Sequence, residues 1–327
     1  MNYRPLGNTG LQVSELGLGC SSLGSNVFDD HSASSRRVLE RAFEAGVTFF
    51  DTASTYGYGT SEMLIGEVFQ GRRDRVVIAT KGGQLFTTLG RYGKVLRPIV
   101  GPFRPLLRPA KGALRRSASH RQDFSPEYLG QTLEASLGRL KTDYVDLYQL
   151  HSPPTDILMR GDVFDALDRW KSEGKVRFCG VSTRTVDDAL LCLRHGRVDA
   201  LQIPFNLLAR EATRALLPEA KAAGVGIVVR VPFGRGLLTE ARRVATGLRT
   251  DDPRATAHAE TERQRLSFLV EGKRRSWIEA ALRFILDHED VATVIPGTKS
   301  LPHLEENLKA AQAPPLDEAE MRRIRAN

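Results

Sequence analysis

The sequence predicts a (β/α)8 TIM barrel, an α/β fold with an N-terminal β-hairpin and long loops after the third and seventh strands. Two observations carry this prediction. Eight strand-like runs alternate with eight helix-like runs along 327 residues, and such alternation specifies a parallel sheet. Runs such as VVIAT (76–80) and GIVVRV (226–231) are apolar without clean alternation, as expected of strands covered on both faces. A doubly wound open sheet would alternate in the same way, but eight units at this length favour closure. One such domain is expected to take up residues 1–327.

The elements follow in order. The opening YRPLGNTGLQVSELGLG places the turn signal Asn8-Thr9-Gly10 between two short alternating runs, which reads as a hairpin capping the body of the protein. Strands are expected near 15–19, 47–51, 76–81, 144–150, 176–181, 199–204, 226–231 and 291–295. Helices are expected at 33–45, 60–69, 126–140, 162–173, 185–195, 213–223, 276–287 and 301–311. Ser125-Pro126 and Ser300 with Pro302 are start signals, and Gly46, Gly174, Gly196 and Gly224 mark helix ends.

Two connections are too long for ordinary loops, 82–123 and 233–275. Both leave C-terminal strand ends, so both are expected to overhang the catalytic face as lids. The first also explains the charge. It holds nine Arg or Lys and one acid, while the rest of a chain with net charge +8 is close to neutral. The basic character therefore belongs to one insertion and does not argue for nucleic-acid binding, for which stacking aromatics are also sparse there.

Three scattered cysteines (Cys20, Cys179, Cys192) make neither a disulfide framework nor a zinc site, and the seven histidines show no metal-ligand spacing. No signal-like or bilayer-length apolar segment is evident, so a cytoplasmic protein is the expectation. GLGCSSLG (17–24) superficially resembles a dinucleotide-binding glycine fingerprint, but its spacing is wrong and the next helix starts too late.

The most informative pattern lies at strand ends. VTFFD ends on Asp51, VVIATK on Lys81 and YVDLYQLH on His151, and Tyr56 follows in the loop STYGYG. In a parallel β/α protein those ends share the catalytic edge. Each residue has an ordinary explanation singly: a turn-capping Asp, a packing Tyr, a solvated Lys, a turn His. Together they describe a proton-transfer site.

With these residues in hand, the chain resembles the aldo-keto reductase superfamily along nearly its whole length. The matching stretches are FFDTASTYGYGTSEMLIGE, VVIATKGG, YVDLYQLHSP, GVST, LQIPFNLL, PFGRGLLT and IPGTKSLPHLEENL. The resemblance implies NADPH-dependent reduction of an aldehyde or ketone. Tyr56 would be the general acid, Lys81 would lower its pKa, Asp51 would hold Lys81, and His151 would orient the carbonyl oxygen.

It also implies cofactor contacts. Ser182 and Gln202 match positions that hold the nicotinamide carboxamide. Pro232, Gly234, Gly236 and Leu237 match the pyrophosphate loop. Gly297, Lys299, Glu306 and Asn307 match the adenosine end, with Lys299 the candidate 2′-phosphate partner that favours NADPH (NADP+) over NADH. Cys20 and Ser21, with Tyr56 and His151, are the candidate substrate-pocket residues. Two positions depart from the family. Thr183 stands where many members have Asn, and Arg230 where many have an aromatic that stacks on the nicotinamide.

The expected partner is a small carbonyl compound, with an anionic one favoured if 82–123 is a lid. Docking of a protein or an anionic membrane by that insertion is the alternative, and a solvated loop the plainest reading. Two other functions stay open: an NADPH-binding regulatory subunit resembling the potassium-channel β subunits, and the same site run as an alcohol or sugar dehydrogenase. The sequence leaves the oligomeric state open.

Overall fold

The computed structural model describes residues 1–24, 32–85, 121–240 and 253–326. The barrel strands are β3 (Leu18–Gly19), β4 (Phe49–Asp51), β5 (Val77–Gly82), β6 (Val145–His151), β7 (Val176–Ser182), β8 (Ala200–Pro204), β9 (Gly226–Arg230) and β10 (Thr293–Val294). They pair in that order, all parallel. Parallel bridges Leu16↔Val294 and Gly19↔Gly297 join the two edges and close the sheet. Closure leaves no open strand edge. The expected (β/α)8 barrel is what the chain forms.

The hairpin of β1 (Tyr3–Pro5) and β2 (Gln12–Ser14) pairs antiparallel around a turn at Gly7–Thr9. It plugs the N-terminal mouth: Leu6, Leu11 and Val13 share one buried cluster with Phe49, Val77, Ala79, Leu147, Ala200 and Val228 of five strands. Each fully buried Leu or Phe in such a layer contributes about 1.5–3 kcal/mol. Gly7 makes this docking possible. It sits at φ +55°, and a Cβ there would collide with the backbone of Gly224 and Gly226.

Helices cover the outside. They include α1 (Ser32–Glu44), α2 (Thr60–Val68), α3 (Pro126–Leu140), α4 (Thr155–Arg160), α5 (Asp162–Ser172), α6 (Val186–His195), α7 (Leu216–Ala222), α8 (Pro253–Arg265), α9 (Trp277–Leu286), α10 (Leu301–Ala311) and α11 (Glu318–Ala326). Ser125 caps α3 through its side chain, as its position before Pro126 predicts. Ser300 precedes α10 as expected, but its side chain makes no cap bond. In α9, Ser276 and Glu279 form a reciprocal capping box, Ser276 Oγ accepting from Glu279 N at 3.1 Å and Glu279 Oε2 from Ser276 N at 2.7 Å. Ser276→Ala is expected to lower unfolding free energy by about 1 kcal/mol, measured by urea denaturation.

Helices α4, α8 and α11 were not among the expected elements. Each lacks the signal that periodicity needs. TDILMR is six residues long, PRATAHAETERQR carries almost no apolar stripe, and EAEMRRIRA offers only Met321 and Ile324 to the body. The second insertion, 233–275, is thus partly helical. The first, 82–123, falls almost wholly outside the described residues. Only its stem is described, where Leu85 N donates to Arg121 O and Asp123 N to Gly83 O. Among the described residues no helix is long and apolar enough to cross a membrane.

Candidate active site

Alternation along the strands builds the site. Inward positions recur every second residue, so the apolar layer of Phe49, Ala79, Leu147, Ala200 and Val228 is followed two residues on by Asp51, Lys81, Gln149, Gln202 and Arg230. Strand register keeps this layer level, with Lys81 opposite Gln149 and Ser182 opposite Gln202. The barrel interior changes from apolar to polar in one step, at its C-terminal end.

Lys81 is wholly buried. Its Nζ donates to both oxygens of Asp51, at 2.7 and 2.6 Å, and to the carbonyl of Thr52 at 2.8 Å. All three ammonium protons are thereby used. Asp51 Oδ1 also accepts from Gln202 Nε2 at 2.7 Å and Gln149 Nε2 at 3.3 Å, and Ser182 Oγ donates to Gln202 Oε1 at 3.0 Å. A buried ion pair persists only with such additional bonds.

Tyr56 enters from a 3-10 turn after β4. Its ring lies 5.3 Å from Lys81 Nζ and meets the His151 ring edge-on, centroids 5.7 Å apart. Asp51, Tyr56, Lys81 and His151 are therefore brought into one cluster. Lys81 acts on the phenol in the direction the resemblance implies, but burial acts more strongly. Burial pushes the Tyr56 phenol above its ordinary pKa; Lys81 and Arg230 pull it down, but they do not outweigh burial. The reason is on the other side of Lys81, where two carboxylate bonds compensate its charge.

Residues from the stem of the first insertion hold His151 from behind. Gln84 Nε2 donates to the His151 carbonyl at 3.4 Å and Gln122 Nε2 to that of Ser152 at 3.0 Å. Ser152 adopts φ +56°. Cys20 is wholly buried, donating weakly to Leu18 O at 3.5 Å, and burial raises its thiol far above the ordinary range. It presents no surface to a substrate, unlike the exposed Ser21.

Around the cluster are buried polar atoms that suit a polar ligand. Thr183 Oγ1, Gln149 Oε1 and Arg230 Nε are buried without a hydrogen-bond partner among the described residues, a cost of about 1–3 kcal/mol each when unmet. Arg230 Nη2 donates to Thr183 O at 2.9 Å. The loop after β9 runs through positive φ at Val231, Gly234, Arg235 and Gly236. Val231 is β-branched, and its strained turn is held by Asn206 Nδ2 bonding its carbonyl at 3.0 Å. Pro232 is buried there and Leu237 half-buried. Beyond the neighbouring strand β10, Gly297 and Lys299 are exposed just before the uncapped start of α10, and in the middle of that helix Glu306 is exposed and Asn307 buried.

Sequence reasoning missed Gln149 and Asn206. Gln149 was recoverable by parity, standing two residues before His151 on the same strand. Asn206 had no such signal, because a loop amide's partner depends on the tertiary fold.

The chain is similar to known proteins over nearly its whole length. The family model described as "Aldo/keto reductase family" matches residues 15–327. The chain is 28% identical to an uncharacterized oxidoreductase of Bacillus subtilis, over 100% of this chain and 96% of that one. It is 29% identical to L-galactose dehydrogenase of Arabidopsis thaliana, over 95% and 88%. Among solved structures, an aldo-keto reductase from Bacillus halodurans in its holo form is similar with TM-score 0.78 at 29% identity, covering 100% of this chain and 96% of that one.

Proposed function

The chain belongs to the aldo/keto reductase family, oxidoreductases of carbonyl and alcohol groups that use nicotinamide cofactors, and we propose that it reduces an aldehyde or ketone with NADPH, Tyr56 giving the proton. The observation that carries this reading is the buried Lys81–Asp51 pair beneath the edge-on Tyr56 and His151 rings.

When bound, NADPH supplies the hydride that the carbonyl carbon accepts. Ser182, Gln202 and the orphaned Thr183 hydroxyl are the residues that would hold its carboxamide. Pro232, Gly234, Gly236 and Leu237 would form the pyrophosphate loop. Gly297, Lys299, Glu306 and Asn307 would take the adenosine end, with Lys299 on a 2′-phosphate. His151 donates to the carbonyl oxygen and orients it. As that oxygen gains charge, the Tyr56 hydroxyl releases its proton to it, and the product is an alcohol. The phenolate left behind is stabilised by Lys81 until solvent restores its proton. A phenol held above its ordinary pKa stays protonated at neutral pH, the form a donor needs.

The test follows NADPH oxidation at 340 nm with neutral, phosphorylated and carboxylated aldehydes. No turnover on any of them despite tight NADPH binding would overturn the reading and favour a regulatory subunit. A preference for anionic aldehydes is the outcome expected if 82–123 acts as a lid over the site. The reverse direction, alcohol oxidation, uses the same groups; a relative is named L-galactose dehydrogenase.

Arg230 tunes the cofactor side. Its guanidinium stands where an aromatic stacks in many members, and a cation is repelled by oxidised nicotinamide more than by reduced. Arg230→Trp is expected to lower the preference for NADPH over NADP+ by roughly tenfold, about 1.4 kcal/mol. Fluorescence titration of both forms reads this, and an unchanged ratio would count against it.

A further inference from the structure

A cavity of about 680 Å³ lies on the outer wall of the barrel, and none of the catalytic cluster lines it. It opens between the turn at Glu211–Thr213, α8, α9 and α11. Its volume is that of a small-molecule site. The floor is apolar, made by Leu208, Phe284, Met321 and Ile324. Phe205 braces it from within, its ring 5.2 Å from both Phe284 and His288.

The rim is unevenly charged. Glu262 is buried, and both its oxygens are engaged, by Arg210 at 3.1 Å and Arg265 at 2.7 Å. That acid is compensated. Arg214 and Arg325 also line the cavity; both are exposed, and neither has a carboxylate within ion-pair distance among the described residues. Glu211 and His258 line the same mouth. His288 does not contribute charge: burial holds its pKa below the ordinary value, and its Nδ1 lies 2.7 Å from Phe284 O.

We propose that this cavity is a second binding site, for a small amphipathic anion whose apolar body rests on Leu208, Phe284, Met321 and Ile324 and whose carboxylate or similar head meets Arg214 and Arg325. An apolar floor alone would admit neutral compounds. Two cations without acidic partners at the mouth select for charge, and a guanidinium pays little to be partly desolvated there.

Calorimetric titration with octanoate tests it, on the NADPH-loaded protein so that the catalytic cleft is occupied at its cofactor side. Wild type is expected to bind one octanoate per chain, and 1-octanol at least tenfold more weakly. Arg214→Gln/Arg325→Gln is expected to lose octanoate affinity at least tenfold with an unchanged unfolding temperature, since both side chains are exposed. Met321→Trp, which fills the floor, is expected to lose it too while leaving NADPH binding unchanged. Octanoate affinity unaffected by these substitutions, equal affinity for octanol, or no binding to wild type up to millimolar concentration would each overturn the proposal.

Discussion

Tyr56→Phe is expected to lower the turnover of carbonyl reduction by about 10³-fold, within the usual range for losing a positioned general acid, with NADPH affinity unchanged within twofold. The substitution removes one oxygen and keeps the ring that faces His151 at 5.7 Å and Lys81 at 5.3 Å, so the cluster keeps its packing. Single-turnover kinetics with NADPH separate the chemical step from binding. The pH dependence carries a sign. Reduction uses the protonated phenol, and burial raises the Tyr56 pKa above its ordinary value of 10.0. Reductive turnover should therefore stay level through neutral pH and fall only as pH rises past that raised value. Oxidation of an alcohol, which needs the phenolate, should rise over the same interval. A reductive rate that falls between pH 6 and 8 would assign the proton to another group, with His151 next in line.

Much of the barrel was legible because its signals are local. Strand ends on Asp51, Lys81 and His151 can be read one run at a time, and the structure gathers them because parallel strands of similar length end on one edge. The polar layer was half legible. Asp51 and Lys81 stood out by charge, whereas Gln149 looked like part of an apolar run until register placed it opposite Lys81. The balance of energies around Tyr56 was not legible at all. It depends on how far Asp51 compensates Lys81 and how much water the site excludes, and both are set by side chains that only the tertiary fold brings together. Helix α8 was hidden for the opposite reason: Pro253–Arg265 has little apolar stripe to announce it, and Arg210 holds it to the barrel through Glu262.

The stability of the site rests on the same pair that serves the chemistry. Lys81→Ala is expected to lower unfolding free energy by about 3–5 kcal/mol, because it strands a buried carboxylate; Asp51 has a side-chain exposure of only 4%. Gln149 and Gln202 would still donate to that carboxylate, but neutral amides replace hydrogen bonds and not charge. Asp51→Ala should cost a similar amount by stranding the ammonium. The double variant is the informative one. With both charges gone, neither desolvation penalty is left uncompensated, so the combined loss should be clearly smaller than the sum of the two single losses. Urea denaturation of the four proteins closes this cycle. Additive losses would show that each residue is held independently, by Thr52 O and by the two glutamines, and that the pair is not a coupled unit. Recovery of stability without recovery of turnover would separate the two roles: an apolar replacement can fill the volume of this ion pair, but it supplies no cation beneath the Tyr56 ring when the phenolate forms.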